Sequence, residues 1–98
     1  MNKPAITPAD ITAACAVIAR NPAEYRSSRP LPTTGKRHDQ RLLADGRNAI
    51  ACVILATGKV RARWQLTDAI RRGHNGDATD FNAINRQGAI ALGYTFSH

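Results

Sequence analysis

The sequence predicts an all-α fold, a compact bundle of about four short helices around a central apolar helix, and three observations carry that expectation. A stretch from Asp39 to Gly73 sets Leu42, Leu43, Ala49, Ile50, Val53, Ile54 and Ala56 at three- and four-residue intervals, the spacing of one buried helical stripe. Seventeen of the 98 residues are alanine, which has the best helix propensity and a side chain small enough for helices to approach closely. The one strand-like stretch, Ala89 to Phe96, has no evident partner strand to pair with. Leu, Ile, Val and Phe together number only nineteen, so a single domain over 1-98 must rely on close packing instead of bulk.

Taken in order, the chain opens on an extended arm through Ile6. Thr7 then caps a first helix, with Pro8 at the first helical position, where a missing N–H costs nothing, and Asp10 placed against the positive helix end. Ile11, Ala14, Cys15, Ile18 and Ala19 keep helical spacing until Asn21-Pro22 stops the run near Arg20. Pro22 opens room for one further turn over Ala23 to Arg26, with Tyr25 folded onto the core. Residues 27–37, with Pro30, Pro32 and Gly35 and few apolar anchors, read as an exposed basic loop.

Asp39 is the expected cap of the second, central helix, Gln40 to Thr57. Gly46 inside it costs about 1 kcal/mol relative to alanine and predicts a kink or an early break. Gly58 suits a left-handed C-terminal cap, with Lys59 near the negative helix end. A third helix follows over Val60 to Arg72, with Val60, Trp64, Thr67 and Ile70 on its inner face and Leu66 widening it. Asp77 or Thr79 caps a fourth, weakened in the middle by Gly88, in which Phe81, Ile84, Ala91 and Leu92 face inward. It ends at about Leu92, leaving a docked, possible strand-like tail.

Fourteen Lys plus Arg against seven Asp plus Glu give a net charge of +7, and eleven of the fourteen cations are arginine. Such a surplus attracts polyanions, and guanidinium groups bond phosphate and carboxylate in bidentate fashion, so nucleic acid or an acidic protein surface are the partners expected. Arginine-rich and alanine-rich usage also follows from GC-rich coding, which would produce the charge without a binding role. No apolar run approaches the length of a membrane span, and no cationic start precedes an apolar leader segment, so a cytoplasmic protein with no membrane association is expected. Cys15 and Cys52 fit neither a disulfide framework nor zinc-ligand spacing and read as buried, reduced thiols.

Catalytic motifs are weak. Ala56-Thr57-Gly58-Lys59-Val60 lacks the first glycine and the hydroxyl of a phosphate-binding loop, holding Val53 and Val60 there instead, and a helix C-cap accounts for it. His38, His74 and His98 are scattered. His74 with Asp77 and Asp80 is the nearest approach to a ligand cluster, and it reads better as a loop followed by an N-cap. The carboxylates are dispersed, and the serines lack nucleophile-elbow glycines. The chain is therefore read as non-enzymatic, with no cofactor and no metal.

The arrangement with most content is a pair of helices joined at Gly58-Lys59, the outline of a helix-turn-helix with a basic second helix. An ordinary helical hairpin with a solvated face predicts much the same residues. On the first alternative, Arg61, Arg63, Gln65, Arg71 and Arg72 make groove or phosphate contacts, and Arg29, Lys36 and Arg37 form a second backbone clamp. The leading expectation is a small nucleic-acid-binding or transcription-regulating protein, with DNA favoured over RNA. The alternative is a protein-binding adaptor or inhibitor, such as a phage or mobile-element protein blocking a host complex, using the same basic surface. A homodimer fits either.

Overall fold

A computed structural model describes residues 6–58, 62–73 and 78–96, with backbone alone at 71–73 and 78–81. The described residues form an all-α bundle of five helices: α1 (Pro8–Arg20), α2 (Pro22–Tyr25), α3 (Gly35–Ala56), α4 (Arg63–Gly73) and α5 (Ala78–Ala91). The four long helices correspond to the four expected, and α2 is the extra turn that Pro22 starts.

The first helix is fixed at its start by reciprocal capping. The Thr7 hydroxyl accepts from the Asp10 backbone N–H at 3.2 Å, and the Asp10 carboxylate accepts from the Thr7 N–H at 2.9 Å. Ile6, expected in a loose arm, is instead 2% exposed and shares the core with Ile11. These two flank the cap at the positions of a hydrophobic staple, so the chain enters the helix at a fixed angle. Ile11, Ala14 and Ile18 then carry the buried stripe of α1.

The central helix starts five residues earlier than expected. Gly35, at φ 77°, turns the chain, and Thr34 occupies the N-cap position without a side-chain hydrogen bond. Lys36 and Arg37 therefore sit in the first turn of α3 and not in a loop, although cations there oppose the helix dipole by a few tenths of a kcal/mol each. The loop is shortened to residues 26–34 and is pinned where His38 Nδ1 donates to the Pro32 carbonyl at 2.6 Å.

Gly46 does not break α3, which runs on from Gly35 to Ala56. It is the point where α3 crosses α5, the most extensive helix pairing of the bundle. A Cβ on Gly46 would fall on the carbonyl oxygen of Asn85 and 2.5 Å from the Ala89 nitrogen, and a Cβ on Gly88 would lie 2.5 Å from the Gly46 carbonyl oxygen. The two glycines that cost each helix propensity thus let two backbones touch. Around this seam Leu42, Ala49, Ile50 and Ile54 of α3 meet Ile84 and Ala89 of α5 in one apolar core, joined by Leu66 and Ile70 of α4.

Both long-helix ends carry glycine caps. Gly58, at φ 78°, donates its N–H to the Leu55 carbonyl at 3.0 Å, as its sequence position suggested. After α5, Gly93 at φ 89° donates to Ile90 (2.9 Å) while the next N–H, of Tyr94, donates to Ala89 (3.1 Å). That pair of bonds is a Schellman motif, which reverses the chain and drops Tyr94 back onto the bundle. The tail is docked as expected, but by this cap and by side chains, and no strand forms among the described residues.

Two inner-face assignments change. Trp64 is 73% exposed, and the buried stripe of α4 is Leu66 and Ile70. Cys52 lies exposed on α3 and Cys15 is only half-buried, so neither is the fully buried thiol the apolar spacing suggested. No described helix is long and apolar enough to cross a membrane.

Candidate nucleic-acid interface

One side of α3 presents Arg41, Ala44, Asp45, Asn48 and Cys52 at intervals of three and four, so they form a single stripe along the helix. The one-turn helix α2 and the segment behind it fold back over this stripe, contributing Tyr25, Arg26, Ser27 and Arg29. Between the two runs lies an open groove of about 460 Å³. Pro22 is the local cause, because it starts α2 where α1 has ended and sends residues 25–29 across α3.

The groove is held by a polar knot. Asp45, 5% exposed in the middle of α3, accepts from Arg41 Nε at 3.3 Å through Oδ1 and from the Tyr94 hydroxyl at 2.9 Å through Oδ2. Arg41 also donates through Nη2 to the Ser27 hydroxyl, which fastens the loop to the helix. The Arg26 guanidinium lies over the Tyr94 ring, 4.4 Å from its centroid. Burial pushes the Tyr94 hydroxyl above its ordinary pKa; the Arg26 bond opposes this, and the bond to Asp45 adds to it. A buried carboxylate is tolerated here because each oxygen has a donor.

Arg63, the first residue of α4, donates from Nη2 to Asn48 Oδ1 at 3.0 Å and so reaches the groove edge from the other side. Arg26, Arg29 and Arg41 thus line one depression, and Arg63 reaches its lining residue Asn48. The carboxylates among them are already engaged. Asp45 is bonded as above, and Glu24 accepts from Asn21 Nδ2 at 2.7 Å. Of the four cations Arg41 is paired with Asp45, while Arg26 rests on an aromatic face and Arg29 and Arg63 are exposed. A guanidinium over a ring keeps its charge, and with five N–H groups Arg26 has donors beyond the one engaged with Tyr94.

Of the residues expected to bind, Arg29 and Arg63 are brought together here. Arg37 lies one helical turn before Arg41 on the same stripe, and Lys36 beside it is also exposed. Gln65 is half-buried on α4. Arg71 and Arg72 fall in the last turn of α4, about 12–14 Å along its axis from Arg63. Arg61 lies outside the described residues, as do Lys59 and the His74 and Asp77 of the weak ligand cluster. No group of His, Cys, Asp and Glu suited to a metal ion occurs among the described residues. Sequence reasoning counted Arg26 among the loop cations suited to phosphate but overlooked Arg41, Asn48 and Tyr25 as groove residues. The signal is present in the 41-45-48 spacing, but a helix expected to kink or break at Gly46 does not carry a stripe through it.

Set beside known protein families, curated proteins and solved structures, the chain matches none.

Proposed function

We propose that this chain is a small non-catalytic nucleic-acid-binding protein of the transcription-regulating kind, which acts by occupying its target, and that the groove between α3 and residues 25–29 is its contact surface. The observation that supports this reading is that Arg26 and Arg29 line one groove, Arg63 reaches its lining residue Asn48, and the groove's carboxylates are already bonded. Phosphates are the anions that such a set of forked donors fits, and the net charge of +7 brings polyanions to it. Lys36 and Arg37 extend the positive surface along α3.

Replacing Arg26, Arg29 and Arg63 together by glutamate, with the helical circular dichroism unchanged, is expected to abolish binding of a labelled oligonucleotide. Three phosphate contacts correspond to a slope of roughly −2 to −3 in log affinity against log salt, which the triple variant should lose. Unchanged affinity in that variant overturns the proposal.

A second reading, a protein-binding adaptor or inhibitor, is favoured by one observation. Trp64 and Ile90 are 73% and 58% exposed, the large apolar residues most open to water in the described structure. Exposed tryptophan is a frequent anchor of protein interfaces. An acidic partner whose binding survives a large excess of competitor DNA would support this alternative.

A further inference from the structure

We infer that the groove receives an unpaired nucleotide of a single strand and not the face of a duplex, an inference that rests on the nucleic-acid reading above. Shape is the first ground. Duplex DNA presents convex rails of phosphate and is read by an element that protrudes into a groove about 12 Å wide. A depression accepts what is splayed out of a flexible strand, an unstacked base with its flanking phosphates. The volume of about 460 Å³ falls in the range that holds one small-molecule-sized unit.

The lining is the second ground. Tyr25 offers a half-buried ring on the wall, and a base has a π-face to lay against it. Asn48 brings amide chemistry to the base edge, opposite Arg26 and Arg29, which suit the phosphates on either side. The wall therefore combines a stacking surface, an edge reader and cations.

The third ground lies in α4. A recognition helix uses its first residues to contact base edges after a turn of three or four residues. Here six residues, 57–62, separate α3 from α4. Arg63, at the start of α4, is exposed and donates back to Asn48 on the groove lining. The helix end that would read a duplex is tied to the groove.

The test compares, by fluorescence anisotropy at one salt concentration, a labelled 20-nucleotide DNA strand, the RNA strand of the same sequence and the corresponding DNA duplex. The expected result is affinity at least tenfold higher for one or both single strands than for the duplex. A preference between the two strands supports the inference and identifies the sugar that is read. Tyr25→Ala should weaken single-strand binding roughly 5- to 150-fold, the range for loss of one stacked base. Tyr25→Phe should restore it. In the unsubstituted chain, single strand should slow alkylation of Cys52, which lines the groove, and leave the Cys15 rate unchanged. Equal or tighter duplex binding, or an unprotected Cys52, overturns the inference and leaves the nucleic-acid reading standing. Binding of none of the three overturns both.

Discussion

Gly46→Ala separates two physical accounts of the same residue. A glycine within a free helix costs about 1 kcal/mol relative to alanine, so helix propensity alone predicts that the substitution stabilises by that amount. The α3–α5 crossing predicts the opposite. The new Cβ would sit 2.5 Å from the Ala89 nitrogen, whereas ordinary contact begins at 3.4 Å, so the helices must part by roughly 1 Å. A gap of that size forfeits a quarter to a half of the dispersion energy across the seam of Leu42, Ala49, Ile50, Ile84 and Ala89. Overpacking of this kind costs about 1–3 kcal/mol and more where the obstacle is backbone on both sides. Taking about 3–4 kcal/mol for this backbone-on-backbone clash and setting the propensity gain of about 1 kcal/mol against it, a net loss of about 2–3 kcal/mol is expected. For a domain of this length that corresponds to a fall in Tm of roughly 10–20 °C, read by circular dichroism at 222 nm on heating. A variant as stable as the parent, or about 1 kcal/mol more stable, would show that the two backbones do not touch at this point.

Tyr94→Phe removes a donor from a buried carboxylate and should cost about 1–3 kcal/mol in urea denaturation, with little change in helix content. Because burial raises the tyrosine pKa in the folded state, its contribution to stability is full below the unfolded value and falls as pH climbs through the folded one. Stability of the parent should therefore drop more steeply above roughly pH 10 than that of the Phe variant, and parallel curves would contradict the packing of this hydroxyl. The two cysteines should react with a thiol reagent in two phases, Cys52 first, since Cys15 is half-buried and its thiol pKa is raised by burial. Peptide mapping that finds Cys15 labelled first would refute this. Trp64 should be quenched by iodide at close to the rate of a free indole in the absence of any partner; a protected indole would mean that this face is covered.

Much of the fold was legible from local chemistry. Thr7, Pro8 and Asp10 announced the start of α1, and Gly58 announced the end of α3, because caps are satisfied within a few residues of the chain. The failures have different causes. Gly46 and Gly88 read as weaknesses because their compensation lies on the other helix, and propensity contains no term for a distant partner. Gly93-Tyr94 read as strand-like because the aromatic and the threonine beside it favour strands, whereas the glycine cap decides the backbone there. Trp64 was placed inward by its spacing from Val60, Thr67 and Ile70, although Leu66 and Ile70 satisfy the stripe without it. At the groove, charge identified Arg29 and Arg63 but not how they meet. That depends on Pro22 turning α2 across α3, which no periodicity encodes.

The glycine crossing also bears on how the molecule is made. Gly46 leaves the ribosome well before Gly88, an interval of roughly 2–8 s at typical elongation rates of about 5–20 residues per second. During it the Leu42, Ala49, Ile50 and Ile54 side of the nascent helix has α1 for cover but not its largest partner. Closure of the domain must therefore wait for synthesis to pass residue 94, when the tyrosine can latch onto Asp45, and a chain interrupted earlier would present that open seam to chaperones or proteases.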